Sequence, residues 1–446
     1  MRRKVSENHA KNRRETRYEN RFQTRPVLPH ASRRFAFDAT LARHGKPLAV
    51  AVLGLLLVGQ VCAHGDMASA APDAPGVRLG VSTAVSQINA SAALPSGRLA
   101  GYLLQGDAGI DRRGAQLEHA VAEVGWRLND TWATSVAIGQ HGSDQAHLEA
   151  AWVQARRQTP SGHWQLTAGR QRPELGPVIT QAGHLDRFAL MPLAKRMAVN
   201  DDWVDDGLQL GWRSAGTADV QWSADAGVWK GQVFPGSSAA SAAPALHLGA
   251  SRGDWRLDGF AARFSPQGRG AQINSATGAH SHSAPLCNAA LKQVICLDGT
   301  SDVAGASLRW DSRQWPVSVS AAGLLRRDSG SLTSANGGAQ YRGDNRGGWV
   351  DAVWRFHPKA QVGVRTERIE ASHRLSGLGA TLLSTEAGLS AYAPLRRNAL
   401  MLGWRVNDNV DIHLETGREN ALGSSARFSA LRLVVRTDFS FPAPAP

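Results

Sequence analysis

Lysine is almost missing from the body of this chain. After residue 63 only Lys195, Lys230, Lys292 and Lys359 remain, although the whole sequence carries 50 Lys and Arg and a formal charge of +13. The excess sits at the start: residues 1–63 hold 13 Lys and Arg against four acids, and the remainder holds 37 against 33. A body so nearly neutral excludes a nucleic-acid partner held by a basic face. Cysteine is also scarce, at three residues, which excludes a disulfide scaffold. Beyond residue 63 no apolar run approaches the roughly 20 residues of a membrane-spanning helix, and helical periodicity is poor throughout. No Ser/His or Asp/His motif of an enzyme stands out, including at His141-Gly142-Ser143-Asp144, so we expect no catalytic residues and no cofactor.

Residues 1–63 fit an extended signal peptide. A basic stretch ends at His44-Gly45-Lys46, Pro47 follows, and Leu48 to Val58 form an apolar core of export-signal length. Val61-Cys62-Ala63 supplies small residues before a cleavage point, and Val61 disfavours lipid attachment through Cys62. The basic stretch either extends the signal or precedes a later start codon. Residues 64–97 are expected to be flexible at first; 77–86 then alternate well enough to form a first strand. A terminal amine at His64 beside the imidazole would be able to bind copper or zinc, although most terminal histidines bind nothing.

What is abundant is alternation. Leu431, Leu433, Val435, Thr437, Phe439 and Phe441 share one face, and Arg432, Arg436, Asp438 and Ser440 share the other. Successive side chains of a strand point to opposite faces, so apolar groups outside and charges inside describe a barrel in lipid. Tight polar turns separate such runs at 128–131, 158–162, 214–217, 251–254, 311–314, 357–359 and 406–409. Seven turns join fourteen strands, and one more at each end makes sixteen; 77–86 and 381–392, if both were additional strands, would raise the count to eighteen. The fold class is therefore an all-β transmembrane antiparallel barrel over 98–441, with short periplasmic turns, long external loops and a Pro/Ala tail at 442–446. The longer connections fall near 172–205, 231–243, 265–301, 327–346 and 370–396. Trp126, Trp132, Trp164, Trp212, Trp222, Trp255, Trp310, Trp315, Trp354 and Trp404 all lie close to tight turns, as expected of an interfacial aromatic girdle.

At this point the chain resembles a family. Thr167-Ala168-Gly169-Arg170-Gln171-Arg172-Pro173-Glu174-Leu175-Gly176 is similar to the Gly-Arg-x-x-Pro-x-x-Gly segment of phosphate-selective-porin-like, sixteen-stranded porins. Asp206 to Trp212 and Ala226 to Gly231 resemble that group's next strands, and the similarity extends loosely from about residue 98 onward. The resemblance implies a homotrimer in the bacterial outer membrane, in contact with its lipid, passing small hydrophilic solutes or inorganic ions and narrowed by the third external loop. That loop would be 172–205, with Arg170, Arg172, Glu174, Asp186, Arg187, Lys195, Arg196, Asp201 and Asp202 forming a charged constriction; the alternative is an ordinary solvated loop.

Inward strand positions add Arg127, Arg213, Arg309, Arg355, Arg365, Arg405, Arg432 and Arg436 as expected pore lining, with Glu123, Glu149, Asp225 and Asp351 among the acids facing them. Arginine forks suit carboxylates and phosphates, which would give a mild anion preference. Equally, the arginines would pair with these acids and stiffen the wall. The scarcity of lysine departs from the lysine-lined funnels of the phosphate-selective members. Cys287 and Cys296 are spaced for a local disulfide worth about 2–3 kcal/mol by loop-closure entropy; with His280 and His282 nearby the alternative is a metal site, of no standard zinc spacing. The competing classes are a barrel enzyme and an adhesin or receptor without transport activity.

Overall fold

A computed structural model describes residues 71–443, apart from 98, 100, 104–112, 143–144, 184–185, 201, 217–218, 238, 240–241, 273–286, 288–293, 390–393 and 422. The leader 1–63, His64, Asp201, His280 and His282 lie outside the described residues.

Among the described residues, seventeen strands follow one another along the chain. They are β1 (Gly76–Ala90), β2 (Gly114–Arg127), β3 (Trp132–Gln140), β4 (His147–Thr159), β5 (Gly162–Gln171), β6 (Asp205–Ser214), β7 (Gln221–Trp229), β8 (Ala243–Arg252) and β9 (Trp255–Phe264). The remainder are β10 (Arg269–Gln272), β11 (Val294–Asp311), β12 (Val317–Ser334), β13 (Gly337–His357), β14 (Ala360–Ser376), β15 (Leu395–Asn407), β16 (Val410–Ala421) and β17 (Ser424–Pro442). Every pairing is antiparallel between neighbours in sequence, and β1 closes the ring on β17 from Gly76↔Pro442 to Ala90↔Phe428. β9 and β10 both pair with β11, β9 with Ser301–Trp310 and β10 with Val294–Leu297. They are two pieces of one stave, so the closed barrel has sixteen staves. Closure gives every stave a hydrogen-bonded neighbour on each side, sparing the wall an open edge that lipid would not solvate.

All seven tight turns of the sequence join consecutive strands. The segment 76–90 is the first stave, and 380–386 is a short helix rather than a strand. Residues 327–346, read as an external loop, are instead strand: β12 and β13 run together to Ser334↔Gly337 in one long hairpin. The glycines and charges that suggested a loop lie where strands need not meet hydrocarbon. Other connections hold short helices, α1 (Pro177–Gln181), α2 (Leu193–Val199) and α3 (Ala380–Glu386).

The outer face is apolar. Leu166, Leu208, Leu248, Leu257, Val350, Leu400 and Leu414 are all exposed, and each alternates with a buried neighbour. Trp126, Trp132, Trp164, Trp222, Trp255, Trp315, Trp354 and Trp404 are exposed beside the turns, while Trp152, Trp203, Trp229 and Trp349 are buried. This is the inverse of a soluble protein, with large apolar groups outside and Glu, Asp and Arg within.

Candidate functional site

The interior of the barrel is the site that the fold builds. Arg127, Arg213, Arg309, Arg355, Arg365, Arg405, Arg432 and Arg436 all lie on the face opposite the exposed Leu, Val and Trp side chains. Most are paired. Arg365 reaches Asp351 at 2.6 Å and Asp186 at 2.6 Å, Arg432 reaches Glu118 at 2.8 Å, and Arg213 reaches Asp225 at 2.9 Å. Arg309 bonds Asp311, and both Arg405 and Arg436 meet Asp411 at 3.4 Å. Arg127 donates to the Pro72 carbonyl at 2.5 Å. Their exposure differs: the Arg365 and Arg432 side chains are 1% exposed, whereas Arg405 near its turn is 58% exposed. Arg127, also beside a turn, is buried against Pro72, so water reaches part of the turn end and hardly any of the middle.

The segment between β5 and β6 accounts for that difference. It leaves β5, forms α1 and α2, and packs α2 entirely inside the wall, with Leu193, Ala194, Met197 and Ala198 fully buried. The wall answers with backbone-directed bonds. Glu367 accepts from Leu193 N at 2.6 Å and Glu415 from Ala189 N at 2.6 Å. Arg326 donates to the Met197 carbonyl at 2.5 Å, Arg397 to the Met191 carbonyl, and Arg432 to the Phe188 carbonyl at 3.1 Å. Charged donors and acceptors thus satisfy the peptide groups of a short buried helix, groups that would otherwise cost free energy inside the barrel.

Within the expected constriction the charges form two groups. On one side Arg172 lies 3.1 Å from Glu149 and 3.3 Å from Asp202, and Lys195 pairs with the same Asp202. On the other, Asp186 meets Arg365, with the Arg365 guanidinium over the Phe188 ring at 4.1 Å. Burial acts to raise the Asp186 carboxyl, but Arg365 outweighs it and holds the group below its ordinary value. Glu174 accepts from Gly176 N at 3.0 Å and approaches Arg213 at 3.9 Å, and Arg187 lies beside Asp186.

Three expected residues are used differently. Lys195 and Arg196 are buried; Lys195 donates to the Ala182 carbonyl, and Arg196 to the carbonyls of Ser96 and Gly97, so both fasten chain rather than face water. Arg170 shares the outward face with Leu166 and Ala168 and bridges to Asp206 at 3.4 Å, which Lys230 also meets at 2.8 Å. It is a rim residue on the outer wall, because one strand parity separates it from Gln171.

Sequence reasoning missed the apolar part of the interior. Leu99 and Tyr102 from the first long connection join Leu193, Met197, Trp203, Trp229, Phe264 and Trp349 in one buried cluster. It also missed Arg397, which binds both Glu367 at 2.7 Å and Glu419 at 3.1 Å, and Arg269, which meets Asp328 at 3.3 Å. The alternation Leu395, Arg397, Ala399, Met401 on one face would have revealed the first. Cys287 and Cys296 are joined as a disulfide with Cα atoms 5.7 Å apart, the span such a bond requires.

No protein-family model matches the chain, and no curated protein matches its sequence. Solved structures do resemble it. A loop L8 deletion form of OmpT, an outer membrane protein of Vibrio cholerae, superposes with a TM-score of 0.51 at 12% identity, covering 81% of this chain and 98% of that one. A trimer form of in-vitro folded OmpT from the same organism gives 0.51 at 11% identity over 82% of this chain and 100% of that one. OmpT expressed in the outer membrane gives 0.50 at 11% identity over 84% and 100%. At such low identity the likeness is one of fold: this chain has the closed antiparallel barrel of bacterial outer-membrane proteins.

Proposed function

We propose that the chain is a porin of the bacterial outer membrane, exported by its N-terminal signal and assembled as a homotrimer, through which small hydrophilic solutes or ions diffuse passively. The observation that carries this reading is the segment 172–205. It is threaded inside a closed, outwardly apolar wall and held there by charged wall residues, the arrangement of a constricted channel. The arginine-rich turn end, with Arg213, Arg355 and Arg405 open to water, supports a mild preference for anions. The Gly-Arg-x-x-Pro-x-x-Gly segment at 169–176 supports a place near the phosphate-selective-porin-like group.

Planar-bilayer recording tests the proposal. Purified protein should give stepwise conductance, and Arg172→Ala, which removes the cation shared by Glu149 and Asp202 and leaves Asp202 to Lys195 alone, should shift ion preference towards cations. A correctly folded barrel that conducts nothing would overturn the channel and leave the receptor or enzyme classes standing.

A further inference from the structure

Three histidines and one glutamate converge inside the barrel at the end away from the tight turns. His119 Nε2 lies 3.5 Å from Glu149 Oε1, His141 Nε2 3.0 Å and His147 Nε2 2.9 Å from the same oxygen. The ligand atoms of His119, His141 and Glu149 all fall within 4.8 Å of one another, and all three residues are buried. The His119 and His141 rings stack with centroids 4.3 Å apart, and His147 continues the stack at 5.2 Å from His141.

The backbone places these groups by two irregularities. Along β2 the register passes from Ala84↔His119 to Val85↔Leu117, so Glu118 is an extra residue. In the β3–β4 pair it passes from Ala137↔Ala150 to Ile138↔Leu148, so Glu149 is extra. A bulge turns two consecutive residues to the same side, which is how His119 follows Glu118 into the interior and Glu149 joins Ala150 there. Gly139 leaves the room that Glu149 occupies: a Cβ on it would stand 2.5 Å from Glu149 Cγ and 2.7 Å from Oε1.

We infer that His119, His141, His147 and Glu149 form a binding site for one divalent transition-metal ion, of the class represented by Zn2+. Imidazole nitrogens with a single carboxylate suit Zn2+, Cu2+ or Ni2+ and not Mg2+ or Ca2+, which want oxygen ligands. Size agrees as well. Four ligands about 2.0–2.1 Å from a tetrahedral ion stand about 3.3 Å from one another; the three nitrogen-to-oxygen separations span 2.9 to 3.5 Å, and His147, which lies outside the group that is mutually within 4.8 Å, must swing toward the other two imidazoles to complete the set. Binding requires the stacked rings, now 14° from parallel, to tilt until their Nε2 atoms aim at one point. The other oxygen of Glu149 is already held by Arg172 at 3.1 Å, an outer contact that orients the carboxylate. His147, one third exposed, provides the side from which an ion enters. Through Arg172 the ion would tie the β2–β4 wall to the inward segment 172–205. Metal binding at this cluster stands independently of the channel reading.

The test is equilibrium dialysis of untagged, EDTA-stripped full-length protein in detergent against Zn2+, with X-ray absorption at the zinc edge. One zinc per chain with three imidazole ligands is expected. His119→Ala and His141→Ala should each weaken binding by more than about 100-fold, since loss of a supporting partner alone costs about 10- to 100-fold. His280→Ala with His282→Ala should change nothing, and heat-modifiable migration on gels checks that each variant is folded. Failure to bind zinc overturns the inference, as does binding that survives the loss of His119 or His141. Should those variants not fold, a wild-type absorption spectrum with fewer than three imidazoles overturns it equally.

Discussion

Arg326 shows what a charge does in this interior. It is fully buried, lies 3.0 Å from Asp328, and donates to the carbonyls of Met197 at 2.5 Å and Leu103 at 3.0 Å, joining three separate parts of the chain. Removing one partner of a buried pair leaves an uncompensated charge, at a cost of about 3–5 kcal/mol. Arg326→Ala should therefore lower the urea midpoint of unfolding from lipid vesicles by a corresponding amount. The exposed pair of Arg263 and Asp302, at 2.6 Å and with both side chains in solvent, provides the contrast: Arg263→Ala should cost no more than about 1 kcal/mol. Equal effects would show that the interior is as wet as the rim. Residue identities of this kind were legible where the period of two was unbroken, as at Arg365 and Arg432. Glu149 was legible as an inward acid, but Glu118 was not, because it is the extra residue of the β2 bulge and strict alternation from Glu123 sends it outward. Arg170 was misplaced because it precedes the segment on β5, at the outward parity of Leu166 and Ala168.

At the scale of elements, the segment 172–205 is held by contacts of unequal sensitivity to pH. Asp186 shares Arg365 with Asp351, and its folded carboxyl lies below its ordinary value because Arg365 outweighs burial. A depressed acid stabilises the folded arrangement above the unfolded pKa of about 3.9, and that stabilisation is lost as pH falls through the lower folded value. The Asp186 contact should therefore contribute no change in single-channel conductance between neutral pH and about 4, and should release the segment only below it. Asp186→Asn should give the acid behaviour at neutral pH; a wild-type midpoint above 5 would point to another group. Turns were readable from sequence because Asn, Asp, Gly and Pro have specific backbone requirements at a hairpin. Long connections were legible only by position: 172–205 is expected to narrow the pore as the third external connection, but which of its residues are buried depends on wall residues hundreds of positions away, such as Glu415 to Ala189.

For the molecule as a whole, one inversion governs solubility and assembly. Leu400 is exposed on the wall while Met401 beside it is fully buried, so the same substitution at adjacent positions meets different solvents. Leu400→Arg should cost about 2–4 kcal/mol if it lies near the membrane midplane, read as a lower folded fraction in vesicles of constant thickness. Closure makes a stronger demand. Because β1 and β17 pair along their whole length and Ala443 N donates to the Pro75 carbonyl at 3.0 Å, residues 75 and 443 stand side by side at the turn end. A cut at 75 gives up the contacts of Ala71 with the inner wall and of Pro72 with Arg127, but the β1–β17 seam carries the same ladder as any other pair. A circular permutant that links 75 to 443 through a short flexible linker and opens at Asp408, between β15 and β16, should thus close into the same barrel. It should show the same heat-modifiable migration and β-rich circular dichroism, since sixteen antiparallel staves have no thermodynamic first member. A permutant that stays extended in detergent would mean that β17 must pair last for the barrel to close, and so would place the order of assembly, rather than the final pairing, in control of the fold.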